Sequence, residues 1–162
     1  RQSISNEDEV VPLAREVEYA KGYLTIQKMR YKDKLEFEID VEPSILNIPL
    51  IKLVLQPIIE NAIYHGLKYK ESKGLLQVKG FMKDGNAVLQ VIDNGVGMDE
   101  ETLSHIYDKH KVNYHSNGVG VYNVQKRLKL YYGENYGITY ESEKGVGTTA
   151  TITIPGIQEE SI

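Results

Sequence analysis

Three glycine clusters and one helical asparagine hold the chemistry this sequence can offer. The clusters are Asp93-Asn94-Gly95-Val96-Gly97, Asn117-Gly118-Val119-Gly120 and Gly145-Val146-Gly147-Thr148-Thr149. Glycine lets a backbone approach a ligand closely and turn through positive φ, and such loops present amide donors to phosphates. Each cluster alone reads as a turn at least as readily as a site, so it is their joint occurrence in one short chain that calls for an explanation. The familiar nucleotide motifs do not supply it. No glycine is followed by lysine, which excludes a Walker A loop. Gly118-Val119-Gly120-Val121-Tyr122-Asn123 lacks the third glycine of a dinucleotide fingerprint and follows no clear strand. The fourth feature is Glu60-Asn61-Ala62, with His65 four residues beyond Asn61 on the same helix face. An asparagine among isoleucines must find partners for its amide if buried, so it is either a satisfied surface amide or a ligand-binding group. His65 is either packed structurally or in contact with phosphate.

These residues need elements to hold them. Val10, Leu13, Val17, Ala20, Leu24, Gln27 and Tyr31 fall at alternating steps of three and four, which predicts a helix over residues 10–31 with Pro12 in its first turn. That helix either docks on its own domain or continues an upstream bundle or dimer stalk. Alternation predicts a strand over 35–40, and Pro43 and Pro49 punctuate a turn. Residues 51–65 are helical in spacing, with Pro57 either kinking the helix or marking a new first turn. Strands are predicted over 75–81 and 87–92 around Asp84-Gly85-Asn86. A polar stretch of undecided structure runs over 98–117. A helix over 121–132 stops at Gly133, and strands over 137–141 and 148–154 flank Lys144-Gly145. The tail beyond Pro155 is expected to be solvated. Local hairpins and a slight excess of strands give an α+β class, with helices covering one face of a mixed sheet.

Composition bounds the function. The 162 residues suffice for one ordinary domain, and 41% hydrophobic with 26% charged residues can build a core. Nineteen basic against 23 acidic residues give a net charge of −4, which removes the electrostatic case for nucleic acid or an anionic membrane as partner. With no cysteine, disulfides, thiol catalysis and thiolate metal sites are excluded. The longest apolar stretch, over 48–59, is broken by Lys52 and Gln56. The chain starts at Arg1 without a leader-like segment and reads as a piece of something longer.

The run Leu55-Gln56-Pro57-Ile58-Ile59-Glu60-Asn61-Ala62-Ile63-Tyr64-His65-Gly66 resembles the N box of bacterial sensor histidine kinases of the LytS/YesM type. Asp93 to Gly97, with Met98, is similar to their DxGxG box. Gly118 to Asn123, continuing to Arg127-Leu128, matches their second glycine box, and Gly145 to Thr149 their last. Order and spacing agree from about Val10 to Pro155.

The resemblance implies the GHKL (Bergerat) ATP-binding fold of Hsp90, MutL and type II topoisomerases, a two-layer α/β sandwich with ATP between helices and a flexible lid. It makes Asn61 the Mg²⁺ ligand and Glu60 the catalytic base or orienting carboxylate. Asp93 would accept a hydrogen bond from the adenine amino group, with Gly95, Gly97 and Met98 beside the base and Thr148 supporting the same edge. Gly118, Val119, Gly120 and Val121 would bring amides and a helix N-terminus to the phosphates, and His65 is a further contact. Departures stand at Tyr64, where a basic residue is common, at Pro57, where many relatives have a second asparagine, and at Val121, where leucine is usual. One positive phosphate contact is then either missing or supplied by Lys68, Lys70 or Lys109. No phenylalanine-rich lid box is present, which agrees with the LytS/YesM type.

The resemblance further implies that the acceptor histidine lies upstream, in an HFxxN-like segment this chain does not contain. His105, His110 and His115 recur at five-residue steps and share no helix face, so a solvated lid suits them better than a metal site. On this reading residues 1–31 connect a histidine-bearing dimerisation segment to an ATP-binding domain over 32–156, and 157–162 form a tail. The expected cofactors are ATP and Mg²⁺. The expected partners are that segment, within a homodimeric parent, and a response regulator. The parent is expected to be membrane-anchored with this domain in the cytoplasm. Two rival readings are a degenerate nucleotide- or partner-binding module and an anti-sigma-like serine kinase of the same fold.

Overall fold

Val10 and Val11 are β-branched, and pairing with a second short strand takes them out of the helix that the stripe predicts. In a computed structural model, which describes residues 9–108 and 120–158, β1 (Val10–Pro12) pairs antiparallel with β3 (Pro49–Ile51). Helix α1 (Leu13–Tyr31) therefore starts three residues later than the spacing predicts, with Pro12 as its N-cap. The stripe otherwise faces the core: Leu13, Ala20 and Leu24 are fully buried and Val17 and Tyr31 pack against them. Glu16 is buried in the same face.

The main sheet has five strands in the order β2 (Leu35–Val41), β4 (Gly74–Lys83), β5 (Asn86–Asp93), β7 (Gly147–Pro155) and β6 (Gly137–Glu143). Only β2 and β4 run parallel, and the crossover between them carries the N-box helix. The β4–β5 hairpin closes through Asp84 and Gly85 at φ 52° and 81°, the left-handed pair that a tight two-residue hairpin needs. Along β4, Leu76 and Val78 point into the core while Gln77 and Lys79 stay half-exposed. The inner face is covered by α1, α2 (Leu55–Asn61) and α4 (Val121–Tyr132), whose Leu24, Ile58 and Leu128 join Leu89 and Ile152 of the sheet in one cluster. The result is the two-layer α/β sandwich with a mixed sheet expected from the sequence.

Pro57 sits third in α2, inside the first turn, where its missing N–H leaves no bond unmade. Residues 51–54 belong to β3 and a turn rather than to the predicted helix. Beyond Asn61 the chain continues as a π-helix, Ala62–Leu67. The polar stretch contributes a short helix, α3 (Glu100–Ser104), capped by Asp99 through the Thr102 amide at 2.8 Å. Helix α4 ends at Gly133 (φ 113°), as the sequence predicts. The start of the tail is anchored rather than free: Gly156 N–H donates to Gly85 O, and Gln158 Nε2 donates to Pro49 and Pro155 carbonyls. Of the sequence-derived candidates, Gly118, Val119, Lys109, His110 and His115 lie outside the described residues.

Candidate functional site

The N-terminus of α2 has no cap of its own, and a carboxylate from another helix supplies one. Glu16 of α1 accepts hydrogen bonds from the amides of Leu53 (3.2 Å), Val54 (2.8 Å) and Leu55 (3.2 Å). The negative charge also complements the positive end of α2. Helix α2 and its π-helical continuation then deliver Asn61, His65 and Gly66 to a cavity of about 190 Å³ above the sheet. A π-turn offsets the residues after it from the α-helical phase and recurs at functional sites.

Asp93, the last residue of β5, stands on the opposite wall. It is only 6% exposed. Its Oδ1 accepts the Gly95 amide at 2.9 Å, and the Thr148 amide also donates to the carboxylate. Burial pushes its pKa up to about 6, against the opposing pull of those two donors. Gly66 makes room for it, since a Cβ there would lie 2.8 Å from Asp93 Oδ1. Gly95 in turn packs so closely on Gly66 that any side chain would strike the Gly66 carbonyl, which accepts the Val96 amide at 3.0 Å. Gly97 adopts φ 67°, with the Glu143 carbonyl where its Cβ would be. Ser142 stitches the loop to the last glycine box. Its Oγ accepts the Met98 amide at 2.8 Å and lies 2.7 Å from Thr148 Oγ1.

Asn61, His65, Asp93, Gly97, Met98 and Thr148 thus share one cavity, with Val91, Ala150 and Tyr140 of the sheet also in its lining. The volume is below the ~300–1,000 Å³ of complete small-molecule sites. The other sequence-derived candidates lie elsewhere. Gly95 serves the packing of loop on helix and does not line the cavity. Glu60 also stays out of the lining. It is half-buried, which raises its carboxyl pKa, and it lies near Tyr23 of α1, whose phenol is pushed up to about 12 by burial first and by the Glu60 charge second. Gly120 caps α4 in an extended conformation and Val121 is buried beneath it, neither in the cavity wall. His65 packs edge-on to Tyr64, with ring centroids 5.4 Å apart. At the departure position, the Tyr64 hydroxyl accepts from Lys68 Nζ at 2.9 Å. His105 pairs with Asp108 at 2.8 Å.

Sequence reasoning assigned no role to Gly66, Ser142 or Tyr140. A glycine inside a helical run was the available signal for Gly66. For Ser142 and Tyr140 there was none, because only the register of β6 on β7 directs them inward. Among the described residues no group of three or more histidine, aspartate or glutamate side chains could hold a metal ion. Any divalent ion here would rely on oxygens brought by the ligand, with the Asn61 amide oxygen as a suitable hard donor.

The model of the histidine kinase-, DNA gyrase B- and HSP90-like ATPase family matches residues 47–158. The chain belongs to this family. As a member of an ATPase family it is an ATP-using domain, and the two-layer fold is the family's. A second model, described as histidine kinase, matches residues 1–35. The chain is 32% identical over 155 residues to the sensor histidine kinase YesM of Bacillus subtilis (strain 168), covering 96% of this chain and 26% of that protein. It is 35% identical over 130 residues to the sensor protein LytS of Oceanobacillus iheyensis, covering 79% of this chain and 22% of that one. The chain thus spans about a quarter of the length of the curated relatives it matches. The solved catalytic domain of histidine kinase ThkA superposes with a TM-score of 0.68 at 14% identity, over 91% of this chain and 98% of that one. The mycobacterial sensor histidine kinase MprB gives 0.64 at 19% identity, over 91% and 97%. At such identities these structures speak for the fold alone. Among the described residues no helix is long and apolar enough to cross a membrane.

Proposed function

We propose that this chain is the catalytic, ATP-binding domain of a two-component sensor histidine kinase, which delivers the γ-phosphoryl group of ATP to a histidine outside the chain for relay to a response regulator. The observation that carries the reading is the convergence of Asn61 and Asp93, 32 residues apart in sequence, on one cavity in an ATPase-family fold. Likeness to YesM and LytS over most of the chain selects the kinase branch of that family.

In this reading Asp93 accepts a hydrogen bond from the adenine amino group. Guanine presents a carbonyl at that position, and a buried carboxylate facing it would be left unpaired. Thr148, tied to Ser142, supports the same edge. Asn61 would hold Mg²⁺ through its amide oxygen, and the ion would supply charge neutralisation for phosphoryl transfer. Glu60, outside the cavity lining and near Tyr23 of α1, is read as the base or orienting group. His65 and Gly97 complete the wall, and Gly118 to Val121 are read as phosphate contacts. Residues 10–31 lead in from the histidine-bearing segment, and the match of residues 1–35 to a histidine kinase model supports that direction. The parent is read as a membrane-anchored homodimer with this domain in the cytoplasm.

The test is transfer of labelled γ-phosphate from ATP to the parent's histidine-bearing segment supplied in trans. Acid-labile, base-stable label on that segment, abolished by Asn61→Ala, is expected. A folded domain that binds ATP yet labels nothing would move the assignment to a nucleotide-binding module, and acid-stable label on serine to the anti-sigma-like kinase.

A further inference from the structure

Tyr140 stands on β6 opposite Ala150 of β7, and Ala150 in turn stands opposite Val91 of β5. This row forms part of the cavity floor. Ala150 is small, which leaves space above the sheet for the Tyr140 ring. That ring is braced edge-on by Tyr107 at a centroid distance of 6.0 Å, and Tyr107 is itself anchored by donating to Ile138 O at 2.8 Å. The Tyr140 hydroxyl is buried and, among the described residues, has no partner at hydrogen-bonding geometry, while the Asn61 side-chain amide stands beside it. Native folds leave few buried hydroxyls unmatched, and one kept inside a ligand cavity calls for a functional reason.

The chemistry of Asn61 supplies that reason. An amide that offers its oxygen to a metal must turn its NH₂ the other way, and those hydrogens then need an acceptor. We propose that the Tyr140 hydroxyl oxygen is this acceptor, making Tyr140 a positioning residue that fixes the Asn61 amide with its oxygen toward the Mg-nucleotide. The bond closes when nucleotide and metal settle the amide. This inference rests on the reading of Asn61 as the magnesium ligand. It adds a requirement that no glycine box or N-box residue carries, since Tyr140 lies outside all four motifs.

The test is calorimetric titration of wild type, Tyr140→Phe and Asn61→Ala with ATP, each with and without Mg²⁺, and with adenosine. Tyr140→Phe keeps the ring and should lower Mg-ATP affinity about tenfold, the scale of losing a group that orients a metal ligand. Its affinities for adenosine and for metal-free ATP should equal those of wild type, and its melting temperature should not fall. Tyr140→Phe added to Asn61→Ala should cause no further loss. Full magnesium dependence in Tyr140→Phe would overturn the inference, as would an equal loss of adenosine binding, which would place the hydroxyl on the base. Magnesium-independent ATP binding by wild type would instead overturn the Asn61 reading itself, and the inference with it. As an independent check on the unaltered protein, the Asn61 side-chain NH₂ resonances should shift and gain exchange protection when Mg-ATP is added, but not with adenosine. Unchanged resonances would overturn the proposal.

Discussion

Asp93 is a carboxylate in a place that disfavours its charge, and the site depends on that charge. Its pKa is raised from 3.8 to about 6 by burial. A raised folded-state pKa means that the folded protein binds the proton more tightly than the unfolded chain does. The associated stability is fully present below about pH 3.8 and is lost as pH rises through about 6. Asp93→Asn should therefore stabilise the ligand-free domain at pH 7.5, by about 2 kcal/mol, with the gain vanishing toward pH 4 in urea melts. The same substitution should abolish adenosine binding. In wild type, adenosine affinity should fall about tenfold per unit below pH 6 as the acceptor is protonated, a profile readable by titration without interference from phosphate groups. Gly66→Ala tests the packing around this carboxylate. A methyl 2.8 Å from Oδ1 should displace Asp93 from its amide donors, cost about 1–3 kcal/mol and weaken adenosine binding. At this scale Asn61, Asp93, Gly97, Met98 and Thr148 were legible because motif spacing names them. Tyr140 was not, because reaching the cavity depends on strand register and on a small Ala150.

At the scale of elements, the informative departures come from tertiary contacts that outrank local pattern. Val10 fits the helical stripe, yet pairing of Val10 and Val11 with Ile51 and Leu50 draws them into a strand. The predicted helix over 51–65 begins only at Leu55, where Glu16, a residue 37 positions or more upstream, holds the amides of Leu53, Val54 and Leu55 at the helix start. A glutamate one step off an apolar stripe reads as solvent-facing, so that cap could not be seen in the sequence. It makes α1 part of the scaffold that sets the N-box helix. Glu16→Ala should leave three amides, two of them buried, without their acceptor and cost about 3 kcal/mol, while Glu16→Gln, which keeps an oxygen, should cost about half as much. Both should weaken Mg-ATP binding in proportion to fraying of α2, measured by hydrogen exchange at residues 55–61. The hairpin at Asp84-Gly85, the stop at Gly133 and the Pro57 first turn were legible because each rests on local backbone chemistry.

For the whole molecule, a five-stranded mixed sheet with helices on one face places the ends of β5 and β7 beneath the N-box helix, so that motifs far apart in sequence meet in one cavity. Motif order conveyed the fold because the first and last glycine clusters answer packing demands of this sandwich: Gly95 against Gly66, Gly97 against the β6–β7 turn, Gly147 against Asp93. A domain built around a carboxylate acceptor should discriminate between bases. ATP is expected to bind at least about 100-fold more tightly than GTP, as measured by competition. The most direct test of the central claim is calorimetric titration of the domain with ATP in the presence and absence of Mg²⁺, alongside Asp93→Ala and Asn61→Ala. Magnesium-enhanced ATP binding is expected in wild type, no binding in Asp93→Ala, and binding without magnesium enhancement in Asn61→Ala. A folded wild-type domain that fails to bind ATP, or that binds it equally well with Asp93 replaced, would contradict it.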